Sequence, residues 1–289
     1  MRILIGVDGS EPSKSAATLV GQIADPQRTE ISVLSVAPLP DQPFPDLWVP
    51  ETDDRGEQDA IDNVATAVER LKASGHDPER RVTKGHVQHE ILDAIDRDGY
   101  DLVVLGAGSE SWLGQHLLGS VSNHVLHTSA VSVMIVHRLL DHAGDKLKIL
   151  VGSDGSLGAR HAATEISRFA DADRVRFDVI SVAPYVMTSF VAVPGAATAV
   201  YDEAVQQEAA DAARENALAA ERFLRSQDYE TSAAVARGGV APCLLTEAES
   251  RESDLVVVGS RGLGALGRVF LGSTSDSVAR HAAAALVVK

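Results

Sequence analysis

Short apolar runs alternate with amphipathic stretches from the first residue of this chain to the last. In the first half, runs rich in β-branched residues predict strands near 2–7, 30–36, 80–84, 101–105 and 131–136. Between them, helical periodicity predicts helices near 11–24, 57–74, 88–98 and 119–128. The first helix has a clear start: Ser10 offers a capping hydroxyl, and Glu11 and Pro12 suit the first turn. Strands that alternate with helices build βαβ units, and these pack as a parallel sheet covered on both faces. The predicted fold class is therefore α/β, with a five-stranded parallel sheet.

The pattern then repeats. Ile3-Leu4-Ile5-Gly6-Val7-Asp8-Gly9-Ser10 returns as Ile149-Leu150-Val151-Gly152-Ser153-Asp154-Gly155-Ser156, offset by 146 (154 minus 8). Val33-Leu34-Ser35-Val36-Ala37-Pro38 returns as Val179-Ile180-Ser181-Val182-Ala183-Pro184 at the same offset. Asp101-Leu102-Val103-Val104 returns as Asp254-Leu255-Val256-Val257, and Leu118-Gly119-Ser120 as Leu271-Gly272-Ser273, both offset by 153 (254 minus 101). The second copy thus holds seven more residues (153 minus 146) between Pro184 and Asp254. Matched segments in one order mean a duplication, with one domain over 1–140, a second over 145–289, and a polar joint at 138–146. In the second copy, 203–225 is Ala-rich and charged and predicts a long helix. Segments 38–50, with five prolines, and 184–198 read as loops outside the sheets.

Composition narrows the function. Aromatics are only 4% of the 289 residues, so the cores rest on Ala, Val, Leu and Ile. A formal net charge of −15 disfavours nucleic acid and anionic membrane as partners. Cys243 is the one cysteine, which excludes an internal disulfide and fits a reducing, cytoplasmic setting. Residues 1–8 read as a strand rather than a leader, and no apolar run reaches membrane-spanning length.

The candidate chemistry gathers in 254–275. A predicted strand at 255–258 runs into Gly259, Gly262, Gly264 and Gly267, and Gly272-Ser273-Thr274-Ser275 then opens a helix. Dense glycines let backbone N–H groups converge and leave room for a ligand. A helix start adds free N–H donors and partial positive charge, which suit phosphate. Gly262 to Gly267 also has the GxGxxG spacing of a dinucleotide site, but it opens no helix at once and has no lone acid some twenty residues on. No lysine follows Gly272-Ser273 or Gly119-Ser120, so a P-loop is absent, as is any nucleophile elbow. The pairs His86 with His89 and His124 with His127 lack a Cys or acid cluster, so they read as solvated or capping residues, and no metal site is expected. Cys243, followed by Leu244 and Leu245, reads as a buried thiol.

Gly259, two residues, Gly262, nine residues, Gly272-Ser273: this spacing resembles the nucleotide-binding motif of the universal stress protein family. The whole chain resembles a tandem member of it. The resemblance implies two Rossmann-like domains of the adenine nucleotide alpha hydrolase-like type, ATP with Mg²⁺ as the ligand, and a role as a stress-response sensor or regulator. It carries the binding role in the second copy to Gly152, Ser153, Asp154, Val182, Gly259, Ser260, Arg261, Gly262, Gly272, Ser273, Thr274 and Ser275. In the first copy it carries that role to Gly6, Val7, Asp8, Val36, Gly106, Ser109, Gly119, Ser120, Val121 and Ser122. By the same resemblance the aspartate reaches the ribose and adenine side, and the valine packs on the base. Read from the residues alone, Asp8 and Asp154 also suit a turn or helix cap. The first copy departs from the motif: Ser109 stands for the second glycine, Glu110 follows, and Gly108 stands where Arg261 does. The second copy is accordingly expected to be the tighter site. Two other classes stay open. One is a family member that binds no nucleotide and acts through dimerisation and a protein partner; the other is a slow ATPase or nucleotidyl transferase, for which no general base is evident. The apolar last strands, 131–136 and 285–288, are expected to pair the copies as an intrachain pseudo-dimer, with a homodimer of chains as a further option.

Overall fold

The structure, a computed structural model, describes residues 1–39, 55–108, 118–140, 146–187, 189–193, 196–200, 202–262 and 271–289. It divides into two compact units, Met1–Leu139 and Leu140–Lys289. In the first unit the chain runs β1 (Arg2–Gly6), α1 (Glu11–Ile23), β2 (Glu30–Pro38), α2 (Arg55–Ala73), β3 (Glu79–Gly85), α3 (Val87–Asp98), β4 (Leu102–Gly106), α4 (Ser120–Thr128) and β5 (Ser132–Val136). The strands lie in the order β3-β2-β1-β4-β5, all parallel.

The second unit repeats this with one addition. Its elements are β6 (Leu147–Gly152), α5 (Leu157–Phe169), β7 (Val175–Ala183), β8 (Ser189–Val193), β9 (Ala196–Val200), α6 (Glu203–Arg225), β10 (Glu230–Arg237), α7 (Val240–Ser250), β11 (Leu255–Gly259), α8 (Ser273–His281) and β12 (Ala284–Val288). The parallel order is β10-β7-β6-β11-β12. Strands β8 and β9 pair antiparallel in a hairpin of their own, where the sequence predicts only a loop. Runs of Ala, Thr and Val without polar alternation give a weak strand signal, which explains the difference. Gln206 of α6 clasps the approach to this hairpin: its Oε1 accepts from Val186 N–H at 3.2 Å, and its Nε2 donates to Val186 O at 2.5 Å.

Physical reasons for the elements are local. The central strands β1, β4 and β11 are almost wholly buried and β6 is buried at Ile149, Leu150 and Val151, as strands sandwiched between helix layers must be. Ser10 Oγ caps α1 by accepting from Ser13 N–H at 3.3 Å, and Ser156 Oγ caps α5 by accepting from Ala159 N–H at 3.2 Å. Between strand and cap the chain turns at Gly9 (φ +79°) and Gly155 (φ +76°), a conformation that favours glycine. A side chain at either would run into Asn63 or Asn216 respectively. Those asparagines are 153 apart (216 minus 63), so the seven extra residues lie between Pro184 and Asn216, the stretch that holds the hairpin.

The second core centres on Phe169 and Phe177, both fully buried. Phe177 meets Tyr229 edge to face at 4.9 Å between centroids, and the Tyr229 hydroxyl lies 3.1 and 2.8 Å from the carbonyls of Ser167 and Ala170. It thereby satisfies the end of α5. Tyr229→Phe leaves the ring packing intact and strips that hydrogen bond, so urea unfolding should show a loss of about 1–2 kcal/mol.

Candidate functional site

Strand order creates a crevice. From β6 the chain departs to β7 on one side; from β11 it departs to β12 on the other. Open α/β sheets bind ligands at such a switch point, beyond the carboxyl ends of the strands. In the second unit a cavity of about 420 Å³ lies there. β7 and α7 give it an apolar wall of Ile180, Val182, Val240 and Leu244. β11 and α8 give it Gly259, Arg261, Gly262, Gly272, Ser273 and Thr274. Gly152, Ser153 and Asp154, at the end of β6, join the two.

The start of α8 has the form of a helix N-terminus that suits an anion. Gly272 is its N-cap and has no capping side chain. The first bond of the helical ladder runs from Asp276 N–H to Gly272 O at 2.9 Å, so the N–H groups of Ser273, Thr274 and Ser275 precede the ladder. Backbone bonds hold this start in place: Gly272 N–H donates to Ser260 O at 2.9 Å, and Ser260 N–H donates to Val288 O at 2.6 Å. Ser275 Oγ donates to Gly259 O at 2.7 Å, so its hydroxyl ties helix to strand although the residue lines the cavity. Ser260 is the one residue of the second-copy set that does not line it; it is buried and spends its backbone on the loop.

Asp154 has a double position. Its Oδ1 accepts from Ser156 N–H at 3.0 Å, which fixes the turn after β6. Its Oδ2 faces the loop after β11, 2.5 Å from where a Cβ on Gly262 would lie. Gly262 therefore lets the loop close on the carboxylate. Gly259 is likewise spent on packing: a Cβ there would stand 2.5 Å from the carbonyl carbon of Gly158 in α5. Of the glycines expected to clear space for a ligand, Gly259 thus also closes on the backbone of α5 and Gly262 on the Asp154 side chain. Gly264 and Gly267 lie outside the described residues. Just past β12, burial and then the Arg261 guanidinium push the Lys289 ammonium below its ordinary value.

The first unit repeats the arrangement on a smaller scale. Its cavity, about 270 Å³, is lined by every first-copy residue named above except Ser109. Ser109 and the neighbouring Glu110 lie outside the described residues. Ser122 Oγ donates to Gly106 O at 2.5 Å, Gly119 N–H donates to Ala107 O at 2.6 Å, and Ala107 N–H donates to Val136 O at 2.8 Å. Asp8 accepts from Ser10 N–H at 3.0 Å and from Ser10 Oγ at 2.6 Å, the turn-stabilising role that its residue type also allowed.

Residues 1–137 and 147–289 each match the Universal stress protein family. The chain belongs to that family. Universal stress protein Rv2005c of Mycobacterium tuberculosis is 30% identical over 297 residues, covering 99% of this chain and 96% of its own. The crystal structure of a universal stress protein from Archaeoglobus fulgidus covers 100% of this chain and 98% of its own, at 23% identity and a TM-score of 0.64. A universal stress protein solved in complex with cAMP is 28% identical over 47% of this chain and 97% of its own, with a TM-score of 0.38.

This universal stress protein also holds site residues that the motif does not mark. Val240 and Leu244 form part of the apolar wall, and Val87 and Ile91 take the same places in the first unit. Both pairs are four apart, and both lie 153 residues from their counterparts (240 minus 87, 244 minus 91). Comparison of the two copies beyond the four matched segments carries that signal. Cys243, between them, is half-buried rather than buried, because the first turn of α7 lies at the surface; its Sγ is 3.4 Å from Arg237 O. His86 is the N-cap residue of α3 without a capping side-chain bond, and its ring meets that of His89 edge to face at 5.8 Å. His127 Nδ1 lies 2.8 Å from Asn123 O. Among the described residues no group of three or more His, Cys, Asp or Glu could hold a metal ion, and no helix is long and apolar enough to cross a membrane.

Proposed function

We propose that the second domain binds ATP together with Mg²⁺, and that the protein acts as a nucleotide-responsive regulator in a stress response. The observation that carries this reading is the two-sided crevice of about 420 Å³: an apolar wall on β7 and α7 opposite a cationic helix start on β11 and α8. The apolar wall, with Val182 at its strand end, suits the flat face of adenine. Asp154 stands between the two sides, where a ribose would lie. The N–H groups at the start of α8, with Arg261 beside them, suit the phosphates. Mg²⁺ fits this site as a companion of the phosphates: it keeps most of its waters and needs one or two protein oxygens, which Ser273, Thr274 and Asp154 offer. The test is the small-molecule content of the purified protein after acid release, read by mass, followed by titration of the emptied protein with ATP. A protein that carries no adenine nucleotide and takes up none at millimolar ATP overturns the reading.

Hydrolysis is expected to be slow. Phosphoryl transfer needs an oriented nucleophile as well as charge on the leaving group. The described lining supplies charge and hydroxyls, with Asp154 Oδ1 already engaged in the turn. Turnover below about one per second is the expected result, and a higher value would make the protein an enzyme. The first domain is proposed as the weaker site, on its smaller cavity and on Gly108 in the place of Arg261. Pairing of the two copies, a homodimer, a protein partner and a cytoplasmic setting belong to the same proposal; light scattering with and without ATP reads the assembly.

A further inference from the structure

We propose that Lys289 acts with Arg261 as a second cation of the second-domain site, and that the pair makes the site discriminate nucleotides by phosphate number. This rests on the nucleotide reading above and specifies its ligand class: a nucleoside triphosphate rather than a monophosphate or a nucleoside.

The strand ladder carries the placement. β11 and β12 are parallel neighbours with Gly259 opposite Val288. Ser260 N–H donates to Val288 O at 2.6 Å, so the two chains are still joined at that point. One residue later each chain leaves the sheet, one as Arg261 and the other as Lys289. Arg261 lines the cavity; Lys289 stands outside that lining, partly buried at the adjoining strand end and near enough for the guanidinium to act on its ammonium. Like charges held together and away from water oppose one another. The lowered Lys289 ammonium, with burial first and Arg261 second among its causes, is the expected mark of that opposition. A polyanion at the start of α8 would turn this repulsion into attraction, and the gain would grow with each added phosphate.

The first domain shows that the fold does not require the pair. There Gly106 lies opposite Val136, and Ala107 N–H donates to Val136 O at 2.8 Å, the same junction. The next residues are Gly108 and His137. One backbone arrangement thus carries an arginine and a lysine in the second copy, and a glycine with a histidine in the first. A requirement of folding would bear on both copies alike; a requirement of the ligand bears on one.

The experiment is calorimetric titration of the full-length protein with ATP, ADP, AMP and adenosine, read on the tighter phase, for the parent, Lys289→Gln and Lys289→Arg. Lys289→Gln should lower the ratio of ATP to AMP affinity about tenfold, a factor of the size one partly exposed charge supplies against added phosphates. Adenosine affinity should not change, and Lys289→Arg should restore the ratio. Added salt should shrink the difference between parent and Lys289→Gln. A ratio that stays constant while adenosine still binds overturns this inference and leaves the nucleotide reading standing. Equal losses for adenosine and ATP make the lysine a structural residue and also overturn it. If no adenine compound binds the parent, both the reading and the inference fall.

Discussion

Ser273→Glu is expected to remove the tighter ATP site while leaving the second domain folded. Ser273 is the first residue of α8, exposed, and part of the cavity lining. A carboxylate in the first turn of a helix is favourable, because it answers the partial charge of the N-terminus. The helix should therefore tolerate the change, or gain a few tenths of a kcal/mol. The ligand should not. The glutamate would bring negative charge to the place where the phosphates need donors, losing one contact and adding a repulsion. Together these come to about 3 kcal/mol, or two decades in affinity. Ser120→Glu makes the same change in the first domain and should alter only a weaker phase, or nothing. Calorimetry on both variants, with thermal melts beside it, decides the matter. A tight phase that survives Ser273→Glu and vanishes with Ser120→Glu would reverse the assignment of the two domains. Glutamate is a cleaner probe than a bulky residue at Gly272, where a Cβ would already press to 3.1 Å from Ser260 O.

Much of this architecture was readable in advance, for reasons tied to particular residues. The helix predicted over 203–225 is α6 to the residue, since alanines and charges leave no competing signal. The strands of the first copy fall within about two residues of their predicted ends; for β1, β2, β4 and β5 the reason is an apolar run rich in β-branched residues, characteristic of a parallel sheet, whereas β3 is a mostly polar strand. The repeat brought Asp8 and Asp154 to equivalent strand ends before any fold was known. Other features depend on contacts between distant segments. Val240 and Leu244 look like ordinary helix core residues until α7 is placed beside the crevice. Lys289 follows an apolar strand and has no motif; only the register of β11 with β12, with Gly259 opposite Val288, brings it to the strand end from which Arg261 departs. Gly259 reads as ligand clearance in the sequence, and only the approach of α5 shows what else it does.

That approach gives the largest effect on stability. Gly259→Val is expected to lower the stability of the second domain by about 3 kcal/mol or more, at the top of the usual range for overpacked positions. A Cβ on Gly259 would stand 2.5 Å from the carbonyl carbon and 2.6 Å from the carbonyl oxygen of Gly158. These are backbone atoms in the first turn of α5, so no side chain can swing aside; the helix itself must lift from β11. The first domain uses the same device, since a Cβ on Gly106 would stand 2.6 Å from Ser13 N and 2.8 Å from Pro12 C in α1. Gly106→Val should therefore weaken the first domain in the same way. A loss of this size is a large part of the 5–15 kcal/mol that typically holds a domain together. Urea unfolding followed by far-ultraviolet circular dichroism should show one transition moved to lower urea in each variant. Gly239→Ala is the control: its new Cβ meets Pro242 at an ordinary 3.5 Å, so the loss should be confined to the about 0.5–1 kcal/mol of trading an N-cap glycine for alanine, well below that of Gly259→Val. The milder Gly259→Ala separates packing from ligand clearance. If it unfolds like the parent yet loses ATP, the glycine is there for the nucleotide. If it loses stability in the empty protein, the contact between α5 and β11 is what demands it, and the glycine loop is held to its shape by the fold before any phosphate arrives.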